Sequence, residues 1–473
     1  MPFGQLHNFT SRTIIILCQN LLIKKEDIMK RILLLVTVFL VAFGTVQFSA
    51  TAQETAEKDY IVVLKSAQTD SASIHTLKEL GAEIIFEAPQ IGVVTISSED
   101  PSILQKLEEN SKILAVAEDV DIRIFDGEAE ALNLQEVGKA ASVQPDLYEQ
   151  YQWDIKRVTQ NGESWNINPG NKETLVAVID TGVDFSHPDL KDNLVFGKAF
   201  FPGARPGEEL KDSGSHGTHV AGTIAANGRV KGVGPELAIA SYRVSNNQGR
   251  MNWTGILSAI TTAADDGAVS ANLSLGTYSI MNDKQDRALH LSSKRAVQYA
   301  LQKGMLIVGA NGNDGMDLGK RMKTEPGKGK VYDGPLFDTF TSIPGVISVS
   351  SSTNRDTLAY YSNYGSSNVH LASPGGDYGP NWPNPENDSS KRDLEARTLS
   401  TIPVAQGSYG WKIGTSMAAP KVAAAAALVK AQFPELKAQQ IATRLQQTAE
   451  DLGKPGHDEY FGHGLVNVYS ALQ

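Results

Sequence analysis

An α/β fold, a parallel sheet with helices on both faces preceded by a small ferredoxin-like α+β unit, is the architecture the sequence predicts. Three observations carry it. Between residues 150 and 473, short apolar runs at 175–179, 239–244, 270–275, 305–309 and 346–350 alternate with helical stretches. Runs of that kind are strands covered on both faces, and their alternation with helices makes the sheet parallel. Ahead of them, residues 59–125 read as strand, helix, strand, strand, helix, strand, the order of a ferredoxin-like unit. Finally, 473 residues at 41% hydrophobic and 20% charged are enough to bury a large core in more than one folded unit.

Within the small unit, 60–64, 84–86 and 92–96 are rich in β-branched residues and read as strands, while 71–80 and 101–110 read as helices. Residues 113–117 and 121–125 are expected to close it. Nothing in 53–125 carries catalytic chemistry. From 126 to 149 the chain becomes Ala, Glu, Gln and Asp without an apolar period, an exposed linker of the sort proteases cut. Residues 150–473 then form the larger domain, with no internal repeat and no low-complexity tract.

Charge and leader signals bound the setting. Lys+Arg 43 against Asp+Glu 53 leaves a net charge of −10, which disfavours nucleic acid or an anionic membrane as a main partner. The single cysteine, Cys18, excludes an internal disulfide and a cysteine-based metal cluster. Met29-Lys30-Arg31, the apolar run 32–44 and Ala50-Thr51-Ala52 have the three parts of a signal peptide at 29–52, cleaved before Gln53. The run is shorter than the roughly 20 residues of a spanning helix. Residues 1–28 precede a complete signal, and the codons of Lys24-Lys25-Glu26-Asp27 can read as a purine-rich ribosome-binding sequence, so translation is expected to start at Met29. The chain ends after an apparent helix with no further apolar span, which points to a released, extracellular protein.

Three motifs carry chemistry. The run 176–179 ends on Asp180, followed by Thr181-Gly182, and the carboxyl ends of parallel strands border the crevice where sites form. The bland alternative is an Asp that caps a turn. Gly214-Ser215-His216-Gly217-Thr218-His219 sets two histidines at a helix start among small residues that permit close approach. Metal binding is the rival there, without a third ligand in the segment. Gly414-Thr415-Ser416-Met417-Ala418-Ala419-Pro420 opens a long helix over 422–431, where a serine is ordinarily an N-cap but also lies in the positive field of the helix end.

In the order Asp, His, Ser, these segments resemble the subtilisin-like serine proteases over nearly all of residues 59–473. The resemblance implies a triad of Asp180, His216 and Ser416, with Ser416 as nucleophile, His216 as general base and acid, and Asp180 holding the imidazole. It further implies that Asn313, in Ala310-Asn311-Gly312-Asn313-Asp314-Gly315, supplies the oxyanion hole, with Asn311 as the competitor. Ser274-Leu275-Gly276 resembles the strand that pairs with substrate backbone, and Gly249-Arg250-Met251-Asn252 the opposite rim, so an extended peptide would add as a strand between them. Residues 53–125 resemble the family's chaperone and inhibitor propeptide, which makes the expected product a self-processing zymogen.

Two departures narrow the expectation. Some relatives bind calcium through the residue matching Asp189 and a following loop; here that loop, 225–232, is short and carries Arg229 and Lys231, so calcium is doubtful and no cofactor is required. Lys421 stands where many degradative relatives have histidine. With Tyr151-Gln152-Trp153-Asp154-Ile155 it resembles the lantibiotic leader peptidases, which implies a modified peptide precursor as substrate; a broad scavenging protease is the alternative. In the family, residues 316–333 lie near the pocket for the side chain before the scissile bond. They carry Lys320, Arg321, Lys323, Lys328 and Lys330 against Asp317, Glu325 and Asp333, and the linker has Glu128, Glu130, Glu136, Asp146 and Glu149 against Lys139 alone. The expectation is therefore cleavage after an acidic or polar residue.

Overall fold

The computed structural model describes residues 58–119, 122–124, 130–132, 146–281, 283–318, 320–322, 334–386 and 388–473. The expected start at Met29, the signal 29–52, Cys18, most of the linker, and Lys323, Lys328 and Lys330 lie outside the described residues. Everything described belongs to one compact unit, Glu57–Gln473.

The small unit runs β1 (Lys58–Leu64), α1 (Ser71–Glu79), β2 (Glu83–Ala88), β3 (Val93–Ser98), α2 (Ile103–Glu109) and β4 (Ile113–Glu118). Its antiparallel sheet has the order β2-β3-β1-β4. Asp70 starts α1 by accepting from the Ser73 amide. Alternation along β1 serves two cores. Tyr60, Val62 and Leu64 pack with Leu77, Ile103 and Leu107 under the unit's own helices. Ile61 and Val63 belong instead to an apolar cluster shared with Trp253, Ile256 and Ile260 of the larger domain. Inside that interface the Thr95 hydroxyl donates to Thr254 at 2.7 Å, so these two buried hydroxyls satisfy each other.

The expected closing strand at 121–125 does not join this sheet. Its described part, β5 (Arg123–Ile124), pairs with residues 275–276 of the larger domain. A short strand β6 (Glu130–Ala131) follows.

The larger domain opens with α3 (Trp153–Thr159) and continues through β7 (Leu175–Asp180), β8 (Leu194–Ala199), α4 (His216–Ala225), β9 (Ala238–Arg243), α5 (Trp253–Asp265) and β10 (Ser270–Leu273). Next come β11 (Leu275–Gly276), β12 (Tyr278–Ser279), α6 (Lys284–Lys303), β13 (Leu306–Ala310), β14 (Phe337–Asp338), β15 (Ile347–Ser352), β16 (Leu371–Pro374), β17 (Thr398–Thr401), β18 (Tyr409–Lys412) and α7 (Thr415–Gln432). Seven strands form a parallel sheet in the order β16-β15-β13-β10-β7-β9-β8. Its five inner strands answer the five apolar runs. The two the sequence reading missed, β8 and β16, are the sheet's edges, and only β8 is incompletely buried. A second difference is the run 270–275, which breaks at Ser274: β10 stays in the sheet, whereas β11 turns out of it and pairs antiparallel with β5.

Candidate active site

Asp180 is the last residue of β7 and is fully buried. One of its carboxylate oxygens, Oδ1, accepts from the Thr181 amide at 2.7 Å and lies 2.8 Å from His216 Nδ1. A carboxylate can only accept, so Nδ1 carries the proton and Nε2 is the basic nitrogen of the neutral ring.

His216 opens α4, and the start of that helix is built by a residue the sequence reading passed over. Ser215 makes no side-chain cap bond. Asp212 replaces it: Oδ2 accepts from the Thr218 amide at 2.9 Å and hydroxyl at 2.6 Å, while Oδ1 accepts from the Thr181 hydroxyl at 2.6 Å. That hydroxyl in turn accepts from the Gly217 amide at 2.9 Å. The turn after Asp180 and the helix carrying His216 are thereby tied by one carboxylate, whose protonation burial favours against these hydrogen bonds. Gly217 has no room for a side chain, since the Gly182 carbonyl and the Asp180 Cβ occupy that space. The available signal was an acid four residues before the histidine.

His219 faces elsewhere. Its Nε2 contacts the Gly410 carbonyl at 3.2 Å, and burial, with Lys412, Lys421 and His216 nearby, holds its pKa far below the ordinary value. It is a neutral core histidine. The two imidazoles of the motif have different partners, and among the described residues no cluster of three or more His, Cys, Asp or Glu is arranged to hold a metal.

Ser416 is the second residue of α7, and the N-cap is Gly414, whose φ of +147° lies where glycine is favoured. The serine is therefore not spent as a cap. Its Oγ donates to the Ser274 carbonyl at 3.3 Å, while Ser274 Oγ donates to the Ser416 carbonyl at 2.9 Å. These reciprocal bonds fix the start of β11 to the start of α7. Helices α4 and α7 pack on each other in the central core.

The two asparagines after β13 differ in what they do. Asn311 is fully buried and spends its Nδ2 on the Asn363 carbonyl at 2.6 Å. Asn313 accepts at Oδ1 from the amide and hydroxyl of Thr415, at 2.9 and 2.8 Å, directly before Ser416. With Oδ1 committed, the amide NH2 is its donating end.

Around the groove, Leu275 stands opposite Ile124 and Gly276 opposite Arg123 in an antiparallel ladder. On the other rim Gly249 has a φ of +78°, Arg250 is exposed, and Met251 bridges back to Ser245 and is buried. Asn252 caps α5 by accepting from the Gly255 amide, and its Nδ2 donates to Asp119 at 3.2 Å. Backbone pairing is thus on the Leu275–Gly276 side, and a side-chain hydrogen bond on the other.

Asp189 sits under loop 225–232. One oxygen accepts from the Val230 amide at 3.0 Å and the other from the Tyr409 hydroxyl at 3.1 Å, while Arg229 stacks over the Tyr409 ring at 5.3 Å. The Gly228 backbone lies so close that any side chain there would strike the carboxylate.

The chain is similar to known proteins along most of its length. Residues 171–464, more than half the chain, match the model of the subtilase family. The chain is 29% identical over 458 residues to the epidermin leader peptide-processing serine protease EpiP of Staphylococcus epidermidis, covering 88% of this chain and 92% of that protein. It is 31% identical over 320 residues to the nisin leader peptide-processing serine protease NisP of Lactococcus lactis subsp. lactis, covering 62% of this chain and 46% of that longer protein. The crystal structure of EpiP from Staphylococcus aureus aligns with a TM-score of 0.72 at 26% identity, covering 88% of this chain and 98% of that one. The chain therefore belongs to the subtilase family of serine endopeptidases, within which it resembles the lantibiotic leader peptidases.

Proposed function

We propose that this chain is an exported zymogen whose mature form removes the leader from a lantibiotic precursor. Ser416 Oγ attacks the peptide carbonyl. His216 Nε2 takes its proton and returns it to the leaving amine, and Asp180 holds the Nδ1 proton and stabilises the imidazolium. Asn313 Nδ2 and the amino end of α7 face the oxygen on which charge develops.

The observation that carries a peptidase reading is the ladder on β11. An extended segment, β5, lies along Leu275–Gly276, and the next residue back, Ser274, holds its carbonyl 3.3 Å from the nucleophile. A substrate bound in that register presents its backbone to Ser416 by strand addition. The small unit would be the propeptide, with β5 as its inhibitory end and self-cleavage falling early in the stretch after Ile124. Calcium has no place at Asp189 in this reading: both carboxylate oxygens accept from protein donors, and Arg229 lies over the ring of Tyr409, one of those donors.

The leader-peptidase assignment rests on similarity along most of the chain to proteins named for that activity. Mature enzyme offered a modified, leader-bearing lantibiotic precursor beside an unrelated unfolded protein tests it. One cut at the leader junction with the unfolded protein left intact is expected; extensive fragmentation of the unfolded protein would make the enzyme a scavenger.

A further inference from the structure

The contact between the small unit and the larger domain encloses a cavity that neither the triad nor the substrate groove uses. One wall is α6, which brings Arg295, Gln298 and Gln302 to it from a single helical face. The other wall is the small unit, with Gln68 from the loop after β1 and Gln90 and Ile91 from the turn between β2 and β3. The space measures about 270 Å³. That is below the roughly 300 Å³ at which cofactor-sized sites begin, and it suits a small ion with its waters.

Both walls are held. In the small unit the Thr69 amide donates to the Pro89 carbonyl at 2.9 Å and the Leu64 amide to the Gly92 carbonyl at 2.8 Å, which binds the loop to the turn. Gly92, with a φ of +61°, lies so close to the Ser66 carbonyl that a side chain there would strike it. Across the interface Gln90 donates to Asp265 at 3.3 Å and accepts from the Thr261 hydroxyl at 3.2 Å.

The charge on these walls is unbalanced. Arg295 is the one charged residue that lines the cavity. Its half-buried guanidinium spends Nη1 on the Ser66 and Ile91 carbonyls, at 3.3 and 2.9 Å, and no described residue accepts from Nε or Nη2. Asp265, the acid bonded to two of the lining side chains, is already occupied, taking the Tyr299 hydroxyl and Lys303 each at 2.7 Å. Burial draws the Arg295 pKa down, and no carboxylate works against it. A partly buried cation without a counter-charge is costly to keep, and the cost falls when an anion arrives. The planar fork of a guanidinium matches an oxyanion two oxygens at a time, and glutamine amides add neutral donors beside it.

We propose that this cavity binds a small oxyanion of the phosphate class on Arg295 and the glutamine amides, and that the bound anion holds the small unit on the larger domain. Its consequence for activation rests on the zymogen reading above; the binding itself does not. Because each unit supplies one wall, the site exists only while the two are together. By linkage, phosphate at ten times its Kd should tighten the small unit's hold about tenfold.

Inorganic phosphate tests this on the full chain, with Ser416→Ala keeping it uncleaved. At constant ionic strength, phosphate should raise the melting midpoint of Ser416→Ala by a saturable amount of about 1–3 °C. The general stabilisation that phosphate gives any protein does not saturate and is shared by every variant. Adding Arg295→Gln should remove the saturable part. Gln298→Glu serves as the second variant, since it leaves the carbonyl bonds of Arg295 in place and puts a carboxylate where the anion would sit; it too should remove the effect. Wild type allowed to cleave itself should gain activity about tenfold more slowly in saturating phosphate, and Gln298→Glu should not be slowed. No saturable rise in Ser416→Ala, or one that survives in Gln298→Glu, would overturn the proposal. So would an equal rise in mature enzyme that has lost its small unit. A wild type that never sheds the unit would instead refute the zymogen reading, and the Ser416→Ala titration would still decide the anion site.

Discussion

Asp154 and Lys421 form an ion pair at 2.7 Å in which neither side chain is exposed beyond 2%. It joins α3, at the entry of the larger domain, to α7, where Lys421 Nζ also donates to the Met417 carbonyl, one residue beyond the nucleophile. Burial draws the Lys421 pKa down, and Asp154 works against it. Gln152 seals the same junction, with its amide bound to the Lys231 and Leu399 carbonyls and to the Lys231 amide. The 151–155 string and Lys421, two separate departures in the sequence, are parts of one contact.

Breaking one partner strands the other. Asp154→Leu should destabilise the mature enzyme by about 3–5 kcal/mol, whereas Asp154→Leu combined with Lys421→Met should recover most of that loss, because no charge is then left buried alone. Thermal unfolding of the three proteins measures it. A double variant no more stable than the single one would show that the pair is not an isolated charge couple.

Self-processing should depend on the site itself. In a host without other proteases, wild type should lose its small unit, while Ser416→Ala and His216→Ala keep it, seen as an intact band and by N-terminal sequencing of the mature product. The new amino terminus should fall between residues 126 and 152. Equal processing of Ser416→Ala would assign the cut to another enzyme.

Asn313 and Asn311 should separate cleanly. Asn313→Leu should lower kcat by about 10²–10³ with little change in KM, because its donor is needed chiefly in the transition state. Asn311→Leu should act on stability instead, since its amide is bound within the fold. Steady-state kinetics beside unfolding midpoints distinguish the two, and the reverse pattern would exchange their roles.

Chelator should shift the melting midpoint of the mature enzyme little, because a ligand stabilises only through binding the native state. A large drop restored by added calcium would locate a calcium site away from Asp189.

Local patterns were enough for the inner part of this fold. The five central strands announce themselves as continuous apolar runs because both faces are covered, and Asp180, His216 and Ser416 are legible because each motif pairs a reactive side chain with the small neighbours that close packing needs. The edge strands β8 and β16 were not legible, since an edge is held by one neighbour and needs no long apolar run. Contacts between distant segments were beyond the sequence for a different reason. That β5 leaves its own sheet to pair with β11, that Asp212 rather than Ser215 begins the helix of His216, and that Arg295 meets the small unit at a cavity lined by no acid all depend on which surfaces meet after folding. Hydrogen bonding and burial are properties of those meetings, and no periodicity along the chain records them.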